Sequence, residues 1–100
     1  MIVPGRTGFT FNRADILLIP KQSGVYALYS RDKYIYIGEG QDIQARLLAH
    51  LEGDNARITR MQPTAFQVEA VSAEERVARQ DALILGLGTM APEGCNQRLG

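Results

Sequence analysis

The sequence predicts an α/β fold of the α+β type, in which three short strands are flanked by helices. Two segments rich in β-branched and aromatic residues, 24–30 and 33–38, are separated by a short polar turn. Two other segments carry apolar residues at helical spacing, and a further one alternates between apolar and polar residues. Short strands with helices packed against them form a layered domain of this class.

Length and composition indicate one domain with a hydrophobic core. The chain has 100 residues, of which 45% are hydrophobic. The 11 basic and 11 acidic residues give a formal net charge of zero. The protein therefore has no overall positive charge that would indicate a nucleic-acid partner, but a neutral total does not exclude a local basic patch on the surface. A single cysteine excludes an internal disulfide framework and is typical of a reducing compartment. With no signal-peptide pattern and no long apolar run, we expect a cytoplasmic protein with no membrane partner.

The first third of the chain predicts a lead-in, a short helix and a hairpin. Residues 1–10 contain a proline and two glycines and are expected to be a flexible lead-in to a single domain with its core at about 19–96. Asn12 stands in an N-cap position, and a helical turn should end before Pro20. The segments "GVYALYS" and "KYIYIG" predict a β-hairpin around the turn "RDK", residues 31–33.

After the hairpin the hydrophobic period becomes helical. Asp42 is a good N-cap, and Gly53 is a plausible end for the helix. Its apolar face consists of Ile43, Leu47, Leu48 and Leu51. Residues 54–63 are ambiguous and predict at most one short helical turn, whereas the alternation in 65–71 predicts a half-buried strand.

The last long helix carries an unexpected amide. Ser72 with Glu75 three residues later forms a capping box, which predicts a helix from there to about Gly86 or Gly88. The predicted core stripe of this helix consists of Ala73, Val77, Ile84 and Leu87. Gln80 occupies the remaining position of that stripe. It is either a buried polar group with satisfied hydrogen bonds or a residue of a site.

Four side chains could share a cleft. Tyr26 and Tyr36 lie on the two hairpin strands, and Arg46 and His50 lie at i, i+4 on the next helix. Tyrosine can move protons, and the guanidinium of arginine donates bidentate hydrogen bonds to phosphate. This set suits phosphodiester chemistry better than acyl transfer. Taken singly, each residue also has a non-catalytic interpretation. Tyrosines in strands are usually packing residues, an arginine on a helix is usually solvated, and a lone histidine is usually a helix cap or a surface residue.

Four separated elements resemble the GIY-YIG nuclease superfamily. "GVY" at 24–26 and "YIG" at 36–38 look like its two signature triplets. Arg46 follows the second tyrosine by ten residues, and His50 follows Arg46 by four, as in the family. Pro92 and Asn96 resemble its late proline and asparagine. The resemblance covers about 19–96.

The resemblance implies a three-stranded antiparallel sheet flanked by helices and metal-dependent hydrolysis of a phosphodiester in nucleic acid, with DNA as the expected substrate and Mg²⁺ or Mn²⁺ as cofactor. It implies that one of the two tyrosines helps to deprotonate the attacking water. Arg46 would bind the scissile phosphate or position the nucleophile, and His50 would assist proton transfer. Gly38 and Asn96 would bind near the site or brace it.

One departure from the family bears on catalysis. The family's metal ligand is a glutamate in a pattern like E-x-x-L-I, and "QDALI" puts Gln80 at that place. An amide oxygen brings no charge, although a hard divalent cation prefers anionic ligands. Glu39, expected at the mouth of the cleft, is the alternative source of that charge. Asp81 is turned by about 100° from Gln80 and is expected to be a solvated carboxylate.

Three functions follow from these residues. The first is an active endonuclease of the kind that serves DNA repair, mobile-element processing or defence against phage. The second is a catalytically impaired nucleic-acid-binding module on the same fold. The third is a protein-interaction domain with a vestigial site. Without a separate DNA-binding segment, specificity is expected to need a partner protein or a homo-oligomer.

Overall fold

The computed structural model describes residues 1–31 and 33–100. Within this part of the chain four strands and four helices follow one another in the order β1, α1, β2, β3, α2, α3, β4, α4. The strands are β1 (Phe9–Thr10), β2 (Gly24–Ser30), β3 (Lys33–Gly40) and β4 (Ala65–Ala70). The helices are α1 (Arg13–Ile16), α2 (Ile43–Leu51), α3 (Ala56–Met61) and α4 (Arg76–Leu87).

The strands form one antiparallel sheet in the order β1-β4-β2-β3. The predicted α+β class and the hairpin are confirmed, but the sheet has four strands rather than three. The hairpin turn predicted at 31–33 includes Asp32, which lies outside the described residues. Tyr26 lies opposite Gly38, and Leu28 lies opposite Tyr36, so these residues face the same side of the sheet.

Helices cover both faces of the sheet. The tyrosine face packs with α1, α2 and α3 in one hydrophobic cluster, which includes Tyr26, Leu28, Leu47, Ile58 and Phe66. The opposite face packs with α4 in a second cluster, which consists of Ile2, Val25, Ala27, Ile37, Leu83 and Ile84. The sheet therefore holds α2 above the two tyrosines and α4 behind the hairpin.

The N-terminal segment is part of the fold. Ile2 is buried in the cluster under α4, and Phe9–Thr10 pairs with β4. The backbone N–H of Ile2 donates to Glu69 Oε1 at 3.2 Å. The expectation of a flexible lead-in over 1–10 is wrong, because its few apolar residues find partners far along the chain that composition does not reveal.

The helix ends follow the capping residues, with one exception. Asn12 and Asp42 accept from the backbone N–H groups of Asp15 and Ala45, as predicted. The start predicted for α4 at Ser72 is wrong: the helix begins at Arg76, and the Ser72 hydroxyl donates to the Glu75 carboxylate instead of capping the helix.

The core stripe of α4 also differs from the prediction. Ala73 and Val77 are exposed, and the buried residues of the helix are Gln80, Leu83 and Ile84. The start at Arg76 places Ala73 outside the helix, and the face turned towards the sheet is centred on Leu83 and Ile84. Gln80 remains on the buried side, as the sequence predicts.

Of the helices that the structure describes, the longest runs from Arg76 to Leu87, and none is long and apolar enough to cross a bilayer.

Candidate active site

Two hairpin strands and α2 bring the four predicted side chains together. Tyr26 extends from β2, and Tyr36 extends from β3 on the same face of the sheet, with ring centroids 6.3 Å apart. His50 on α2 packs against both rings, at 5.5 Å from Tyr26 and 5.3 Å from Tyr36. Arg46, one helical turn before His50, leaves 45% of its side chain exposed. The structure thus brings these side chains together on one side of the sheet, although only Tyr36 of the four lines the cavity beside β3.

The glycine of "YIG" allows the tyrosine packing. A Cβ atom at Gly38 would overlap the phenol ring of Tyr26, which lies directly across the strand pair. Gly38 itself is fully enclosed by the sheet and the ring. The missing side chain of Gly38 therefore leaves room for the buried tyrosine.

A short hydrogen-bonded chain runs through the site. The Tyr26 hydroxyl lies 2.7 Å from His50 Nε2. His50 Nδ1 lies 2.9 Å from Asp54 Oδ1, and the other carboxylate oxygen of Asp54 lies 3.7 Å from the Arg46 guanidinium. One carboxylate therefore contacts both functional residues of α2.

Burial controls the protonation of these groups. Burial raises the pKa of Tyr26 well above its ordinary value, and the nearby Tyr36 adds to this, whereas the Arg46 guanidinium opposes it by charge and hydrogen bonding. Burial likewise raises the pKa of Tyr36, again opposed by Arg46. Burial lowers the pKa of His50, and the Asp54 carboxylate opposes that shift. At neutral pH the site therefore holds two phenols and a neutral imidazole.

A cavity of ≈ 270 Å³ opens beside the edge strand β3. Its lining residues come from β3, α4, the C-terminal segment and Asn55, which caps α3, and they include Tyr36, Gln80, Cys95 and Asn96. Gln80 thus reaches the same cavity as one of the two tyrosines. That its amide is a functional residue stays a prediction.

Asn96 braces the free edge of β3. Its side-chain amide donates to Ile37 O at 2.8 Å and accepts from Ile37 N at 2.8 Å, as a neighbouring strand would. The Thr89 hydroxyl donates to the same amide oxygen at 2.7 Å. Both polar atoms of the buried side chain therefore have partners, and these bonds hold the wall of the cavity.

The model of the GIY-YIG catalytic domain matches residues 22–81, more than half of the chain. The chain belongs to the GIY-YIG family. The match includes both tyrosines, Arg46, His50 and Gln80, and it agrees with the resemblance seen in the sequence.

Solved GIY-YIG structures share the fold. The N-terminal GIY-YIG endonuclease domain of UvrC from Thermotoga maritima, bound to magnesium as its catalytic divalent cation, is 25% identical, with a TM-score of 0.68 over 76% of this chain and 89% of that chain. A tyrosine-to-phenylalanine and an asparagine-to-alanine point mutant of that domain, each bound to the catalytic cation, also show 25% identity and a TM-score of 0.68, over 76% of this chain and 88% of theirs. Comparison with curated protein sequences gives no significant match.

The GIY-YIG cavity of this chain does not fit a divalent cation well. Its lining residues within the described part of the chain include no aspartate or glutamate. Residues 1–31 and 33–100 contain no group of three histidine, cysteine, aspartate or glutamate side chains that could hold a metal ion. Gln80 can offer an amide oxygen, but a hard cation requires anionic oxygen ligands for tight binding.

Glu39 does not take the place expected for it. It pairs with Val25 across the hairpin, on the face that α4 covers, and its carboxylate accepts a hydrogen bond from Arg76 Nε at 2.8 Å. It is not among the residues that line the cavity. Alternation along β3 turns it away from Tyr36 and Gly38, and an ion pair already neutralises its charge.

Sequence reasoning missed Asp54. The residue lies beyond the end of α2 at Leu51, so helical periodicity does not assign it to the face of Arg46 and His50. The signal was nevertheless present, because Asp54 follows His50 by four residues and stands directly after a glycine. Gly53 adopts φ +91°, which turns the chain back and brings Asp54 to the histidine.

Proposed function

We propose that this domain hydrolyses phosphodiester bonds of nucleic acid, with DNA as substrate, and that its rate is held low because Gln80 replaces an anionic metal ligand. The observation that carries the proposal is the 2.7 Å contact between Tyr26 and His50 Nε2, next to Arg46 and Tyr36. Support for phosphodiester cleavage comes from the match to the GIY-YIG catalytic domain and from the similar UvrC endonuclease domain, and DNA as the substrate is part of the proposal.

The proposed chemistry uses the buried phenol as a proton carrier. Because burial raises the pKa of Tyr26, a phenolate would be costly without a neighbouring base. His50 Nε2 provides that base. As the attacking water bonds to phosphorus, its proton passes to the Tyr26 oxygen while the phenolic proton passes to Nε2. The P–O bond to the leaving oxygen then breaks, and that oxygen takes up a proton from solvent.

The other two residues handle the substrate in this proposal. The half-exposed guanidinium of Arg46 donates to a non-bridging phosphate oxygen, for which its planar fork is suited. Tyr36 lines the cavity and orients the water. Arg98 also lines the cavity, where its guanidinium can donate to a second phosphate oxygen.

The test is cleavage of plasmid and oligonucleotide DNA with Mg²⁺ or Mn²⁺ by the wild type, Gln80→Glu and Tyr36→Phe. We expect slow cleavage by the wild type, at least about tenfold faster cleavage by Gln80→Glu, which corresponds to about 1.4 kcal/mol, and loss of cleavage in Tyr36→Phe. The exposed Gln41, which lies outside the cavity-lining set, provides the matched control: Gln41→Glu adds the same charge and should leave the rate unchanged.

A second candidate function is nucleic-acid binding without cleavage. It is favoured by the cavity, which has no aspartate or glutamate among the lining residues that the structure describes. In this case the wild type binds DNA with salt-sensitive affinity but does not cut it, and Gln80→Glu gains activity. If the wild type neither binds at low salt nor cuts, and Gln80→Glu is equally silent, both proposals are wrong and a protein-interaction role is left.

A further inference from the structure

We propose that Asp54 is the positioning residue of the site: it holds His50 in the tautomer protonated at Nδ1, which leaves Nε2 free to accept the Tyr26 proton, and it tethers Arg46. The catalytic consequence rests on the proposed function. The tautomer itself does not, and it can be measured without substrate.

The hydrogen-bond distances permit one consistent arrangement of protons. An ionised carboxylate only accepts hydrogen bonds, so at 2.9 Å His50 Nδ1 must donate to Asp54. A neutral imidazole carries one N–H, and therefore Nε2 is an acceptor. At 2.7 Å from Nε2, the Tyr26 hydroxyl must then donate to it. The direction of proton transfer from phenol to imidazole is thus set by Asp54.

The local sequence explains how Asp54 reaches the ring. After α2 ends, the left-handed Gly53 reverses the chain, and the backbone N–H of Asp54 donates to Ala49 O at 3.2 Å. The His50 side chain is 1% exposed, while that of Asp54 is 35% exposed. The Asp54 side chain therefore lies between the buried His50 ring and solvent. Because Asp54 is itself partly exposed, replacing it should leave the hydrophobic core intact.

The charges around His50 give the direction of the pH effect. Tyr26, Tyr36, Arg46 and Asp54 are the titratable side chains that face it. Burial and the Arg46 cation lower the pKa of His50, and Asp54 is the group that raises it. Without Asp54 the pKa should fall further. The acid limb of activity, which reports protonation of the base, should then move to lower pH.

His50 is the single histidine of the chain, so ¹⁵N NMR of its ring reports this site without assignment ambiguity. We expect the Nδ1–H tautomer to dominate in the wild type and in Glu52→Gln, which removes an exposed carboxylate two residues away. Asp54→Ala should populate the other tautomer and lower the titration midpoint. A dominant Nε2–H form in the wild type, or an unchanged tautomer in Asp54→Ala, would overturn the proposal.

Cleavage assays test the catalytic consequence. We expect Asp54→Ala to lower kcat by about 10- to 100-fold, the range found for groups that orient a functional histidine. Asp54→Asn should recover part of that loss, because its amide oxygen can still accept from Nδ1. Failure of every variant to cut DNA would overturn the proposed function, whereas a kcat unchanged in Asp54→Ala would overturn the role of Asp54 alone.

Discussion

At the residue scale, the site depends on the missing side chain of Gly38 as well as on the side chain of Tyr26. Tyr26 is 1% exposed, and its ring fills the space directly above Gly38. A bulkier residue there would displace the phenol from His50, to which it is hydrogen-bonded. The tyrosine and the glycine of the two triplets therefore form one packing unit across the strand pair.

Gly38→Ala should destabilise the fold and misplace the phenol. We expect a loss of about 1–3 kcal/mol in the free energy of unfolding, typical of overpacking a filled core. Chemical denaturation checks this. The matched control is Gly86→Ala in α4, where an added Cβ meets nothing within 4 Å and should stabilise the helix by about 0.5–1 kcal/mol. Equal effects of the two substitutions would contradict the packing role of Gly38.

The spacing of particular residue types, together with the family resemblance, could predict much of the site. Tyr26, Tyr36, Arg46 and His50 were found from spacing and from the family resemblance, and the structure places them together. Asp54 was missed because it lies beyond the helix end, where periodicity stops. Glu39 was misplaced because the strand register decides which face its carboxylate takes, and an arginine 37 residues later then pairs with it.

At the element scale, α4 shows how a boundary changes the orientation of a whole helix. The capping-box pair Ser72 and Glu75 does exist as a hydrogen bond at 3.2 Å, but it lies in a turn before the helix. A helix start at Ser72 predicts a buried stripe that includes Val77, but Val77 is 42% exposed. The buried stripe runs through Leu83 and Ile84, because those side chains meet the hairpin face.

Alanine substitutions along α4 test the stripe that the structure shows. Leu83→Ala should cost about 2–5 kcal/mol of unfolding free energy, because Leu83 is 6% exposed and packs in the core. Val77→Ala should cost less than about 0.5 kcal/mol, as expected for an exposed position. Thermal or urea unfolding measures both. A loss at Val77 as large as that at Leu83 would restore the stripe predicted from the sequence.

At the scale of the whole molecule, contacts between residues far apart in the sequence hold both ends of the chain against the sheet. The Met1 amino group donates to Val68 O, 67 residues away, and Ile2 is buried under α4. At the other end, Asn96 bonds both backbone groups of Ile37, 59 residues away, and seals the edge of the sheet. The cavity at this edge exists because the C-terminal segment is held there.

Ile2→Ala tests whether the N-terminal segment is structural. Ile2 is 1% exposed, so we expect a loss of about 2–5 kcal/mol in unfolding free energy. Leu18, which is 74% exposed, is the control, and Leu18→Ala should be nearly neutral. Urea denaturation of both variants gives the comparison. A neutral Ile2→Ala would support the flexible lead-in that the sequence favours.

The sequence by itself determined the fold class, the hairpin, the position of α2 and the four residues of the cleft, because these follow from periodicity, capping and short fixed spacings. The tertiary structure alone decided the fourth strand, the buried face of α4, the pairing of Glu39 with Arg76 and the contact of Asp54 with His50. Each of these depends on which groups meet after the chain has folded back on itself. Local patterns carry the first kind of information, whereas only packing between distant segments carries the second.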